Sequence, residues 1–435
     1  MKPRRWLVFA ICTSLFLISL FYRASNAIIA PELSRDLKLD PHDLGLLGAA
    51  FFYAFALIQL PLGPILDRIG AKTTMIFLNL IGVCGTVIFA SSVNLAGGVI
   101  GRALLGVGMA ANLMGTLKLL THWFSPGKFA SITGLVLSLG TLGSLAAATP
   151  LALLVQSLGW RASFYALAGL NILLTICLFM FVHDTPPHKQ TLVETSPDRG
   201  TSLPLTESIK RLFSSWSFWA ISFSIFLRYG AFASIQALWA GPFLIQYLGL
   251  SHVTAGNLLL MISIAFIIGS PTGGMLSDRV FGTRKWIVFL ASLITSAAVF
   301  ALSLWQGTYS LPLLGAIFFV LGFFASFNPI SYAHIKELMP EEMSGTAMAG
   351  INFFTMMGAG VFIHGLGSVI KQIGGDLAGR GEAYTAAFLI CSAALLISAG
   401  LYYTTRDSRI LIKRGKRKGS RSRVHGSEVQ GSPKS

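Results

Sequence analysis

The sequence predicts an all-α membrane protein: twelve transmembrane helices in two pseudo-symmetric six-helix halves. Three observations predict it. First, the 435 residues are 54% hydrophobic and only 11% charged, with mean hydropathy +0.69. Soluble chains carry about 25% charged residues. Second, continuously apolar runs long enough to cross a bilayer, about 20 residues each, recur twelve times. Third, the first half of the chain slides onto the second at a single offset.

The runs lie near 7–30, 43–65, 72–92, 96–120, 129–156, 161–182, 214–240, 252–276, 285–305, 311–334, 344–371 and 383–405. They are continuous rather than alternating, which selects helices over a barrel. The first opens on Lys2-Pro3-Arg4-Arg5, and Tyr22, Arg23 and Asn26 interrupt it before any small-residue cleavage site. It is expected to be a retained span rather than a signal peptide. With the N-terminus inside, 24 of the 33 Lys and Arg fall in inner loops and termini. Five (Arg35, Lys38, Arg161, Lys371, Arg380) fall outside, and four lie within spans. That asymmetry predicts both termini in the cytoplasm, and the outer loops hold no N-x-[ST] sequon, which fits a bacterial inner membrane.

The expected organisation is a six-helix bundle over 1–182, a cytoplasmic linker over 183–213, a second bundle over 214–405 and a basic disordered tail over 406–435. Net charge is +16, but residues 404–435 hold ten Lys and Arg against two acids. The charge therefore suits a topology signal against anionic lipid better than nucleic-acid binding. Cys12, Cys84, Cys177 and Cys391 show no metal-ligand spacing. Neither a metal nor a cofactor is expected. The chain lacks a nucleotide loop or a nucleophile setting, so no enzymatic activity is expected.

At an offset of 211 residues, Pro31 falls on Pro242, Gly45 on Gly256, Gly63 on Gly274, Asp67 on Asp278 and Arg68 on Arg279. Apolar matches are common between spans; a repeated Gly-x-x-x-Asp-Arg is not. Repeated halves imply a transporter with its site between them near the midplane. "GPILDRIGAK" (Gly63, Asp67, Arg68, Gly70, Lys72) and "GMLSDRVFGTRK" (with Asp278 and Arg279) are expected as tight cytoplasmic turns that latch one state. The competing reading is topology charge plus a turn.

These residues carry a resemblance. Over about residues 7–405 the chain resembles the major facilitator superfamily, whose loop signature matches Gly63, Asp67, Arg68, Gly70 and Lys72. The second copy departs by one inserted residue before Gly282. "GRALLGVGMA" is similar to the family's span-four pattern through Arg102, Gly106 and Gly108, whereas "GLVLSLGTLG" lacks the Gly-Pro of antiporters.

Charges inside the spans are few and positive: Arg23, Arg102, Lys118 and Arg228. A central arginine costs roughly 2.5–3.5 kcal/mol on insertion scales and does not discharge by losing its proton. Arg228 sits about 18 Å of helix from either membrane face, too far to snorkel. It needs an anion or a wet cavity; backbone carbonyls at a helix crossing are the competing partner. Arg23 is read likewise, with Tyr22, Asn26, Tyr229 and Gln236 as neutral contacts. Arg102 is expected to be structural. Lys118 is either a site residue or a snorkelling one. His334 and His364 are candidates for proton coupling, or packing residues.

"FLRYG", Arg23 eight residues before Pro31, "HWF" (His122–Phe124) and "DTP" (Asp184–Pro186) are similar to the glycerol-3-phosphate antiporter-like branch. That resemblance implies an anion clamp between Arg23 and Arg228, although span five lacks the branch's histidine. The expected function is secondary active transport of a small organic anion, with a proton or counter-anion moving too, by a monomer in the bilayer. The alternatives are a carrier of amino acids, peptides or other zwitterions, which would want a buried acid for the amine, and a transporter-like sensor.

Overall fold

The computed structural model describes residues 2–124, 126–184, 211–304, 310–340, 344–374 and 380–408. The side chains of residues 2, 3, 67, 126–131, 344–346 and 380 lie outside the description. So do most of the expected linker and tail.

Among the described residues the regular structure is helical, with eleven helices long and apolar enough to cross a membrane and a shorter apolar one, Ile132–Ala146. Span 1 is Lys2–Ala24 continued, after a break at Ser25, by Asn26–Asp36. Spans 2 and 3 are Pro41–Ile69 and Ala71–Ser91. Span 4 is Leu95–Met109 plus Ala111–Trp123. Span 5 begins at Pro126–Ala146 and ends within Thr149–Phe181, where Gly159 (φ 78°) reverses the chain into span 6. Span 7 runs from Trp216 to Tyr247, its second part wound as π turns at Ile235–Trp239 and Phe243–Tyr247. Spans 8 and 9 are His252–Met275 and Lys285–Ser303. Span 10 is Leu311–Ala325 and Asn328–Leu338; spans 11 and 12 are Ser344–Ile373 and Arg380–Tyr403.

The repeat is visible in the local chemistry. Asp40 caps span 2 by accepting the Asp43 N–H at 3.0 Å, and Ser251, at the equivalent position, caps span 8 by accepting from Thr254 at 3.1 Å. The two signature segments are mostly helix, not loop. Span 2 continues through Arg68 and turns only at Gly70 (φ 93°), where a side chain would strain the backbone. In the second copy a π turn at Leu276–Val280 precedes the bend at Gly282 (φ 59°). A π turn absorbs one extra residue in a helix, which accounts for the insertion there. Glu337 lies within the last turn of span 10.

Contacts between the halves are made by symmetry-related pairs, span 2 with span 11 and span 8 with span 5, and by span 1 with span 7. Small residues let the backbones close up: a Cβ on Gly241 would lie 1.6 Å from the Ala27 carbonyl oxygen. Among the described residues, five side-chain links join the halves. Four are at the end away from the termini: Glu32–His252 at 2.8 Å, Asp40–Lys371 at 2.7 Å, His42–His364 at 3.2 Å and Thr149–Asn257 at 2.7 Å. The fifth, Arg23–Tyr229, is the deepest. Toward the termini, a Cβ on Gly63 or Gly274 would meet nothing within 4 Å. The halves are thus closed at the far end.

Candidate functional site: an arginine pair between the halves

Arg228 is 2% exposed on span 7. Its Nη2 donates to the Ser331 hydroxyl of span 10 at 2.9 Å. Its Nε and Nη1 are buried with no hydrogen-bond partner. Among the described residues no carboxylate pairs with Arg228, Arg23 or Arg102. Leaving a buried donor unmade costs about 1–3 kcal/mol, more on a charged group.

Arg23 approaches from span 1. Its Nη1 donates to the Tyr229 hydroxyl at 3.3 Å, its guanidinium lies 5.1 Å from the centre of the Phe55 ring, and its Nε is buried and unpartnered. Tyr229 is the neighbour of Arg228 in sequence, so this bond brings the two arginines to one region. Tyr332 of span 10 lies within electrostatic reach of both and donates to Asn352 of span 11 at 3.1 Å. Arg23, Gln59 and Asn352 line a cavity of about 90 Å³ between the halves. Asn26 is 1% exposed with both amide atoms unpartnered. A Cβ on Gly48, facing it, would lie 3.7 Å from its Nδ2. Gln236 is half-buried in the first π turn of span 7.

Arg102 is also buried, with its Nε unpartnered, but its surroundings differ. It donates to the Tyr22 carbonyl at 3.0 Å, and its guanidinium lies 5.0 Å from the Phe51 ring and 5.8 Å from the Phe89 ring. Two aromatic rings thus lie within cation–π distance of it. Tyr22 belongs to the same packing: its hydroxyl accepts from Thr86 at 3.2 Å, inside the first half and away from the cavity.

Five other expected residues, Lys118, Arg68, Arg279, His334 and His364, are not brought to the arginines. Lys118 donates to the Leu66 carbonyl at 2.6 Å, near the termini end of span 2. Arg68 and Arg279 are exposed, and the Asp67 side chain lies outside the described residues. His334 sits at the termini end of span 10, its ring nitrogens 2.9 Å from the Tyr402 hydroxyl and 2.8 Å from the Arg406 carbonyl. His364 faces His42 at the far end.

The termini end holds a repeated brace that sequence reasoning missed. After span 6, the Asp184 carboxylate accepts the Lys72 N–H at the start of span 3 (2.9 Å), and its carbonyl meets His122 of span 4 (2.9 Å). After span 12, Asp407 accepts the Arg284 N–H before span 9 (3.3 Å), while the preceding carbonyl meets His334 of span 10. An aspartate at a helix N-terminus satisfies its exposed N–H groups and opposes its dipole. In the second half, Arg284 adds Glu337 at 2.8 Å and Asp278 at 2.5 Å. "HWF" and "DTP" were legible as motifs, but only the fold shows that they touch.

Gln59, Tyr332, Ser331 and Asn352 were also missed. Neutral residues in apolar runs give no signal beyond their polarity.

The sequence profile of the Major Facilitator Superfamily matches residues 11–241 and 221–433. The hexuronate transporter of Bacillus subtilis (strain 168) is 25% identical over 87% of this chain and 87% of its own length. The probable galactarate/D-glucarate transporter of Escherichia coli (strain K12) is 23% identical, covering 81% of this chain and 84% of that protein. Among solved structures, a bacterial homologue of the human lysosomal transporter Spinster, inward-facing and unoccupied, superposes with a TM-score of 0.79 at 17% identity. It covers 95% of this chain and 98% of that one. The D-xylose–proton symporter superposes with a TM-score of 0.74 at 15% identity, covering 93% and 98%. The repeated halves, the signature segments and these likenesses converge: the chain belongs to the Major Facilitator Superfamily of transporters.

Proposed function

We propose that the protein carries a small organic anion across a bacterial inner membrane by alternating access, with Arg23 and Arg228 as the anion clamp. The observation that carries this is Arg228: fully buried, with two guanidinium nitrogens unpartnered and only a neutral hydroxyl bound. A guanidinium fork matches a carboxylate or sulfonate bidentately. The relatives named for hexuronate and galactarate/D-glucarate, and the probable sulfoacetate transporter of Cupriavidus necator at 25% identity over 65% of this chain and 67% of that protein, support an anionic substrate. In this reading the two bundles rock about the arginines as a monomer, both termini are cytoplasmic, and the closed far end is the outer face. Asn26, Tyr229 and Gln236 contact the uncharged part of the substrate, while Tyr22 supports them through Arg102. The signature residues Gly63, Asp67, Arg68, Gly70, Lys72, Asp278 and Arg279 engage across the cytoplasmic side when it closes; Lys118 holds span 2 there. A proton or counter-anion completes the cycle, with His334 and His364 as coupling candidates.

A thermal-shift screen tests the substrate class. Hexuronates, aldarates or sulfoacetate should raise the apparent Tm of the purified protein, and neutral sugars and dipeptides should not. Stabilisation by dipeptides alone would reject the anion reading.

The closed outer face gives a second test. Gly241→Val drives two methyl groups into the Ala27 backbone and should open that face. Leu238, buried against Gly48, serves as reporter. A cysteine at 238 should react with an impermeant maleimide from the outer side several-fold faster in the Gly241→Val background. Equal rates would mean that the two halves do not separate there.

A further inference from the structure

We propose that His42 and His364 form a divalent transition-metal site across the outer closure. His42 is on span 2 and His364 on span 11, so the two come from opposite halves. Their Nε2 atoms are 3.2 Å apart and their ring centres 4.9 Å apart. Two imidazole nitrogens bound tetrahedrally at 2.0–2.1 Å from zinc are about 3.3 Å apart. The pair therefore meets the spacing with almost no movement. On the other side of the His42 ring, Nδ1 lies 3.5 Å from the Asp43 carboxylate. That distance is an electrostatic contact rather than a hydrogen bond, and the carboxylate's charge favours a cation held at Nε2. The His42 side chain is 38% exposed, so water can complete the coordination.

Asp40, close by, is already committed to Lys371 and to the Asp43 N–H. It contributes negative charge rather than a ligand. Imidazole donors select zinc, copper or nickel over magnesium or calcium. Because each half supplies one ligand, the metal binds only while the outer face is closed, and it holds that face shut. The inference rests on the alternating-access reading only for this consequence, a stalled carrier; binding itself does not depend on it.

The test uses full-length protein, carried on a tag without histidine, in detergent. Zinc chloride should raise the apparent Tm with saturable dependence, and magnesium chloride should not. His42→Ala and His364→Ala should each weaken the zinc response at least tenfold. Asp43→Asn, which removes a nearby negative charge, should weaken it less than either histidine variant. An undiminished zinc response in His364→Ala would overturn the site, as would no response in the wild type. If a variant fails to fold, copper(II) spin resonance on the wild type decides. Coupling to two imidazole nitrogens supports the bridge; one nitrogen or none refutes it. Substrate stabilisation, measured in parallel, reports on the clamp separately.

Discussion

Arg228→Met is expected to make the empty protein more stable while abolishing its response to anions. Replacing a buried, incompletely bonded charge by an apolar side chain of similar volume is neutral or stabilising by about 1–4 kcal/mol. Arg228 fits that case, with Nε and Nη1 unpartnered and, among the described residues, no carboxylate paired with it. Ser331 keeps little at stake. Binding should move the other way. Truncating one partner of a buried charge pair costs about 2–5 kcal/mol, two or more orders of magnitude in affinity. Thermal shifts with and without the stabilising anion read both effects in one experiment. A structural arginine would give the opposite pattern, with a large drop in Tm and a response to anions that survives. Arg102→Met is the built-in control. Its guanidinium is flanked by two aromatic rings and bonded to the Tyr22 carbonyl, so its loss should lower Tm.

The second large effect is expected at the brace of the second half, at the termini end. Arg284 is 7% exposed, and its Nε, Nη1 and Nη2 are spread over Glu337, Asp278 and Ser277. Glu337→Ala leaves that charge partly uncompensated. Breaking a fully buried pair costs about 3–5 kcal/mol. The Glu337 side chain is 21% exposed, which screens part of this, so a loss of roughly 2–3 kcal/mol follows. It should show as a lower apparent Tm and faster thermal inactivation. Arg284→Lys should not rescue function or stability, because one ammonium does not span three acceptors. Glu337→Ala at wild-type stability would remove the brace from the account.

How much of this was legible beforehand depends on the kind of signal. Twelve spans, their pairing into halves and the candidate arginines follow from hydropathy and from charge where none belongs. The 211-residue offset even anticipates the matched caps at Asp40 and Ser251. What failed to show were contacts between segments far apart in sequence. Arg284 lay inside a quoted motif, yet the repeat directed attention to Arg279, which is exposed. The insertion that displaces Arg284 from the repeat is absorbed by a π turn that no composition reveals. Tyr22 illustrates the reverse limit. One residue from Arg23, it faces a different side of the helix, because successive residues turn through about 100°. His42, at the first turn of span 2, stood outside every motif and gains meaning only from His364, 322 residues on.

The central claim is that two guanidinium groups hold the substrate's anionic end. The most direct measurement is uptake of the stabilising anion into proteoliposomes by wild type, Arg23→Lys and Arg228→Lys. Lysine keeps the charge and loses the bidentate fork. The account predicts that the wild type transports, and that both variants keep a wild-type Tm but lose transport at least tenfold. Transport by Arg228→Lys with unchanged KM would contradict it: any cation at 228 would then suffice, and no clamp would exist.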